Sequence, residues 1–192
     1  MPNLYIIAGC NGAGKTTASY TVLPEMLHCR EFVNADSIAA GLSPFNPESV
    51  SFEAGRIMLQ RIHALINEQA DFALETTLST KSYVSLIARA KNLGYNITLV
   101  FFWLNSSELA VQRVAERVKN GGHNIPVEII RRRYTRGLSN LFQLFMHVCD
   151  LWMVIDNSDR AMSFIAKGQK SLVSEVINPE LWNTISSQYA TK

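Results

Sequence analysis

The sequence is poor in the features that would take a chain out of the ordinary globular class. Only three of its 192 residues are cysteine (Cys10, Cys29 and Cys149), an odd number with no CxxC spacing. That argues against a disulfide framework and makes reduced thiols the expectation. The first apolar run, residues 4–8, has no basic segment before it and is far too short for a signal peptide or a membrane span. Neither sign of charge dominates: 18 Lys and Arg stand against 16 Asp and Glu, a formal net charge of +2. This is too little to argue by itself for a nucleic-acid partner. Internal repeats, low-complexity tracts and long linkers are also missing. These absences point to a soluble, cytoplasmic chain with no membrane partner. Its 192 residues can bury one sizeable core, so a single domain over 1–192 is expected.

What the chain does contain is an alternation of short apolar runs with longer amphipathic ones. Residues 4–8, 72–74, 97–103 and 151–155 are almost wholly apolar runs, and 32–35 is a short second strand, as in strands buried on both faces of a parallel sheet. Helices are expected over 15–28, 47–69 (Pro47 in the first turn after Asn46), 80–92, 106–119 and 126–147. A last helix or two should fill 158–190, broken near Pro179. The pattern is βαβα, and the expected fold class is α/β, a three-layer sandwich.

Between the first run and the first helix lies Gly9-Cys-Asn-Gly-Ala-Gly-Lys-Thr16, which fits GxxxxGK[ST] in the required strand–loop–helix context. Gly9, Gly12 and Gly14 let backbone N–H groups, with those of Asn11 and Ala13, wrap a nucleotide's phosphates. The helix opening at Lys15 points its positive end at them. Lys15 is placed for the β- and γ-phosphates, Thr16 for Mg²⁺ and Thr17 for the α-phosphate. The NKxD and DxxG strings of GTPases are absent, as is an LSGGQ-like signature, which leaves the small-kinase architecture.

Three further features support that architecture. Asp36 follows the second strand directly, where open α/β sheets place ligands. It could take the proton of an acceptor hydroxyl; the alternative is that Asp36 or Ser37 merely caps a helix. Glu75 ends the third strand and projects toward the same crevice, where it could orient Mg²⁺-bound water or hold substrate hydroxyls. Thr76, Thr77 and Ser79 follow it. The third feature is the segment 113–136, with seven basic residues (Arg113, Arg117, Lys119, Arg131, Arg132, Arg133 and Arg136) against Glu116 and Glu128. Arg113 and Arg117 share a helix face, the first suited to stack on a base and the second to meet phosphates. Gly121-Gly-His-Asn-Ile-Pro126 then gives a flexible reversal, as a lid over about 117–133 requires. By helical periodicity Arg132 and Arg136 face away from the apolar stripe of the next helix, while Arg131 and Arg133 flank it. A lid arginine neutralises charge on a transferring phosphoryl group. Nucleic acid is disfavoured as a ligand because no exposed aromatics interleave with the arginines.

These residues resemble a known family. Gly9–Thr17, Val33-Asn-Ala-Asp36, Phe72-Ala-Leu-Glu-Thr-Thr-Leu-Ser79, Gly121-Gly-His-Asn-Ile-Pro126, Arg131-Arg-Arg-Tyr134 and Ile155-Asp-Asn-Ser158 are similar to segments of the short zeta-toxin-like P-loop kinases. The resemblance implies a P-loop kinase fold whose five-stranded parallel sheet runs 2-3-1-4-5, with helices on both faces and an arginine-rich lid. It implies ATP or GTP with Mg²⁺, Asp36 as catalytic base together with Lys15, lid arginines such as Arg117 and Arg132, and Asn157 near the nucleotide base. It also implies a small-molecule acceptor, with a UDP-amino sugar as candidate, and an antitoxin-like protein partner. Phe45, Arg56 and Tyr83 are candidate substrate contacts; Arg56 would bind an acceptor phosphate or pair with Glu48 or Glu53.

Overall fold

The computed structural model describes residues 1–122, 124–159 and 161–190. Seven strands form one sheet: β1 (Asn3–Gly9), β2 (Glu31–Val33), β3 (Phe72–Thr76), β4 (Asn96–Trp103), β5 (Leu151–Asp156), β6 (Ser163–Gln169) and β7 (Leu172–Val176). Their spatial order is β2-β3-β1-β4-β5-β6-β7. The first five are mutually parallel in the expected 2-3-1-4-5 order. The helices are α1 (Lys15–Thr21), α2 (Ala35–Leu42), α3 (Ser51–Asn67), α4 (Tyr83–Asn92), α5 (Ser107–Lys119), α6 (Val127–Asn140), the short α7 (Met146–Val148) and α8 (Pro179–Tyr189). Turns of π-helix extend α1 (Val22–Met26) and α6 (Leu141–Phe145). Pro47 opens a 3-10 turn (Pro47–Val50) rather than the long helix itself, so that helix starts at Ser51 instead of 47.

The continuous apolar runs are explained by burial on both faces. Along β4, Ile97, Leu99, Phe101 and Trp103 pack with α3, α4 and α8 residues such as Ile62, Ile87 and Ile185. Val100 and Phe102 point the other way, toward α1 and α5 through Ala18, Ala110 and Val114. β1 divides likewise, with Leu4, Ile6 and Ala8 on one side and Ile7 on the other. Covering both faces with helices buries most of the central strands' side chains and leaves their carboxyl ends as the place where polar side chains can gather.

The expected helices over 158–190 are the main departure. Residues 163–176 form the hairpin β6–β7, antiparallel to β5, which brings the sheet from five strands to seven. Helix begins only at Pro179, after Asn178, whose side chain accepts from Leu181 N. The reason is tertiary. Trp152 on β5 donates from Nε1 to the Lys170 carbonyl at 2.8 Å, seating the turn between the two strands. Gly168 passes so close to the Trp152 ring that a Cβ there would collide with it. Trp182 of α8 stacks on Trp152, with centroids 5.7 Å apart and planes 10° apart. Among the described residues no helix is long and apolar enough to cross a membrane.

Candidate active site

The glycine loop adopts the conformation its residue types demand. Gly12 and Gly14 have φ of 78° and 77°, where a Cβ is strained. Ala13 N donates to Cys10 O at 3.2 Å and closes the turn. Two elements hold the loop from outside. A Cβ on Gly12 would lie 2.8 Å from the Ala110 carbonyl oxygen, so α5 packs directly against it. The Asn157 side chain, just after β5, donates from Nδ2 to Ala13 O at 2.8 Å. Arg113 fixes that support by donating from Nη1 to Asn157 O at 2.7 Å and from Nη2 to Ser158 O at 2.8 Å. Arg113 and Asn157 thus brace the loop, with the in-plane donors of Arg113 directed at backbone.

Glu75 is the hub of the polar cluster. Its Oε2 accepts from Thr16 Oγ1 at 2.7 Å and from Asn34 Nδ2 at 2.8 Å. Its Oε1 lies 3.4 Å from Lys15 Nζ. Lys15, only 6% exposed, also donates to Cys10 O at 3.0 Å. Register brings these groups together, because Ile7 pairs with Glu75 across β1 and β3, and Val33 pairs with Leu74 across β2 and β3. Thr16 and Glu75 present oxygen donors side by side, which suits a hard cation that keeps much of its water and shares phosphate oxygens. Thr17 is exposed in the first turn of α1.

Asp36 sits in the first turn of α2, but neither it nor Ser37 is the cap. Asn34 caps the helix, its Oδ1 accepting from Ser37 N at 3.1 Å. The Asp36 carboxylate is therefore left facing a cleft of about 520 Å³ that also borders Lys15, Glu75, Arg56, Thr76 and Thr77. A second cleft of about 340 Å³ shares Asp36 and adds Glu48 and Arg132. Thr76 Oγ1 accepts from Leu78 N at 3.0 Å, and the Thr77 and Ser79 hydroxyls lie 2.9 Å apart. Arg56 and Tyr83 border the larger cleft with Phe52. Arg56 forms no ion pair with Glu48 or Glu53 among the described residues. Phe45 is fully exposed and does not border the cleft.

The lid arginines are sorted by the packing of α6. At Gly137 a Cβ would lie 2.7 Å from the Thr77 carbonyl oxygen, and buried Asn140 donates to the Leu78 carbonyl at 2.8 Å. Leu78 itself has φ of 59° and is fully buried. One turn before Gly137, Arg133 donates from Nη1 to Asn11 Oδ1 at 3.1 Å, touching the glycine loop. Burial pushes the Arg133 guanidinium down from its usual range, while the nearby negative charge of Asp36 opposes that shift. Arg132 borders only the second cleft, and exposed Arg131 lies 3.6 Å from Glu108.

Arg117 borders neither cleft. It lies in the last turn of α5, which closes where Gly121 N donates to Val118 O at 3.0 Å and Gly122 N donates to Arg117 O at 2.9 Å. This is the paired-bond ending in which a left-handed glycine, here Gly121 at φ 84°, stops a helix. The expected flexible reversal is thus, through Gly122, a hydrogen-bonded helix terminus. His123, within the same expected reversal, lies outside the described residues.

Two site residues gained importance only in three dimensions. Arg133 was one of four candidate arginines, and helical periodicity placed it on the flank of a core stripe. Asn34 was visible only as the residue between Val33 and the pair Ala35-Asp36. The available signal was a polar residue at a strand end where two acids were expected to meet.

A family model described as zeta toxin matches residues 1–167. An uncharacterized protein of Haemophilus influenzae is 32% identical over 127 residues, covering 66% of this chain and 88% of that protein. Among solved structures, the AvrRxo1-ORF1:AvrRxo1-ORF2 complex with sulphate ions superposes with a TM-score of 0.76 at 18% identity, over 97% of this chain and 64% of that one. The same complex with ATP gives 0.76 at 17% identity. A chain of the PezAT chromosomal toxin–antitoxin system of Streptococcus pneumoniae gives 0.66 at 16% identity, over 98% of this chain and 86% of that one. At these identities the structural likeness shows the fold alone, an α/β fold with a parallel-dominated sheet. The chain spans less than two thirds of the AvrRxo1 chain it matches.

Proposed function

The chain belongs to the zeta toxin family, and on that premise we propose that it is a kinase that moves the γ-phosphate of ATP (or GTP) to a hydroxyl of a small metabolite, with a UDP-amino sugar as candidate acceptor. One observation carries this reading. The glycine loop, with Lys15 and Thr16 on Glu75, faces an exposed carboxylate, Asp36, across one cleft. That is the placement in-line phosphoryl transfer needs, with phosphates held on one side and a proton acceptor on the other.

In this reading the loop amides and Lys15 hold the phosphates, and Asp36 takes the acceptor's proton. Arg133 stabilises charge on the transferring group from its position over Asn11. Arg132, in the second cleft, and Arg117, at the end of α5, are less directly placed for this. Arg56, Thr76 and Thr77 line the path of the acceptor, and Asn157 with Arg113 keeps the loop in shape. Thr16 and Glu75 would hold Mg²⁺, Glu75 through water; the ion supplies charge neutralisation at the phosphates when bound. That AvrRxo1-ORF1 was solved together with AvrRxo1-ORF2, and that the PezAT chain belongs to a toxin–antitoxin system, supports a second proposal: an antitoxin-like protein that covers this cleft.

The test is a transfer screen with γ-labelled ATP across a metabolite extract, run with wild type and with Asp36→Asn. A labelled product is expected with wild type. The variant should lose about 10²–10⁴ in rate and keep ATP affinity. Transfer at the wild-type rate by Asp36→Asn would remove Asp36 from the mechanism.

A further inference from the structure

We propose that Asn34 is a positioning residue. Through Glu75 it holds the Thr16 hydroxyl in the orientation that a bound cation requires, and with its other amide atom it seats the helix that carries Asp36. The proposal rests on the site reading above.

The geometry is a clip. Asn34 is 5% exposed, and both ends of its side chain are used. Oδ1 accepts from Ser37 N, capping α2 two residues before Asp36. Nδ2 donates to Glu75 Oε2. The parallel register of β2 and β3, with Val33 beside Leu74, makes Asn34 and Glu75 neighbours at the strand ends. One side chain therefore ties the helix of the proposed base to the carboxylate of the proposed metal end.

The chemistry concerns the Thr16 proton. A hydroxyl carries one donor and two acceptor lone pairs. Because Thr16 gives its proton to Glu75 Oε2, its lone pairs are free to face a cation. That arrangement lasts only while Oε2 stays beside Thr16. A carboxylate rotates easily about its last torsion, and Lys15 draws on the other oxygen, Oε1. Asn34 is the second donor on Oε2 and opposes that rotation. Few residue types can replace it. Serine and aspartate also cap helices, but serine is too short to reach Glu75 from the cap position. Aspartate offers no donor and sets a second negative charge against Glu75.

The experiment uses this separation of cap from clip. ATP affinity is measured by calorimetry with and without Mg²⁺ for wild type and Asn34→Ser, alongside thermal unfolding of the metal-free proteins. Asn34→Ser should keep metal-free ATP affinity within about threefold. The Mg²⁺ concentration for half-maximal tightening should rise at least about tenfold, the scale of losing a group that orients a metal ligand. Unchanged Mg²⁺ dependence would reduce Asn34 to a helix cap and overturn the proposal. A second variant checks the contact without metal. Asn34→Asp should lower the metal-free unfolding midpoint, and adding Glu75→Gln, whose amide can donate to the new carboxylate, should restore it. No recovery would break the link between the two residues. If wild-type ATP affinity ignores Mg²⁺ altogether, the reading of the site fails and the proposal with it, a result separable from a failure of Asn34→Ser alone.

Discussion

Replacing Gly137 with alanine should leave the protein folded and impair its chemistry. The added Cβ would lie 2.7 Å from the Thr77 carbonyl oxygen, where ordinary contact begins at 3.4 Å. Because the clashing atom is backbone, α6 and the loop after β3 must part by about 0.7 Å. Two stability effects oppose one another. Overpacking costs about 1–3 kcal/mol, while alanine in a helix gains about 1 kcal/mol over glycine. The net loss is about 0–2 kcal/mol, which for a chain of this size lowers Tm by no more than about 8 °C. The site is less tolerant. Arg133 lies one turn before Gly137 and reaches Asn11 at 3.1 Å, and a misplacement near 1 Å can cost about 10²-fold in rate. Gly137→Ala should therefore reduce MgATP turnover about 10- to 100-fold, with ATP affinity within about threefold of wild type. Thermal unfolding, calorimetry and single-turnover kinetics on one preparation check this. Wild-type turnover would refute the idea that α6 sets the arginine's position. A collapse of Tm well beyond 8 °C would refute the balance of packing against propensity.

Other outcomes follow from the same geometry. Arg133→Ala should reduce phosphoryl transfer by about 10²–10³-fold and Arg132→Ala by far less; rate constants in the reverse order would reassign the lid. Arg113→Lys should behave like Arg113→Ala, because an ammonium cannot reproduce the two-pronged contact with the Asn157 and Ser158 carbonyls. Both should weaken ATP binding about tenfold, the scale of one or two lost charge-assisted hydrogen bonds, and calorimetry that separates the variants would contradict this. Burial is the main cause that pushes the Cys10 thiol from 9.0 up to about 11 and the Cys149 thiol to about 12. Above pH 9 the unfolded chain releases protons that the folded chain retains, so these thiols make stability fall as pH rises from about 9 to 11. Urea midpoints at pH 8 and 10 should show the fall, and a Cys10→Ala, Cys149→Ala variant should show less of it.

The central architecture was readable because its signals are local and strong. Runs such as 97–103 are apolar at every position but Thr98, and a strand covered on both faces needs such a run. The glycine loop was readable because its backbone angles leave little choice of residue. Asp36 and Glu75 were found by their position at strand ends. The hairpin β6–β7 was not readable. Its placement depends on Trp152, a residue of β5 that lies on a different run, and on Gly168 lying against that ring. The choice among Arg131, Arg132 and Arg133 was likewise closed to periodicity. Adjacent positions differ by about 100° around a helix, and what selects Arg133 is the close approach of Gly137 to Thr77. Asn34 was missed because its value lies in holding two other residues, and a single sequence does not display that.

The internal pairing of Lys15 has a consequence for selectivity. Its ammonium is already satisfied by the Cys10 carbonyl and the Glu75 carboxylate, at 6% exposure. A lone small anion arriving at the loop meets a cation whose charge is largely spoken for, and must displace those partners to gain it. A polyphosphate chain compensates that loss with many loop amides at once. The Lys15 contacts therefore favour, at this loop, ligands that bring several phosphates together over a lone small anion.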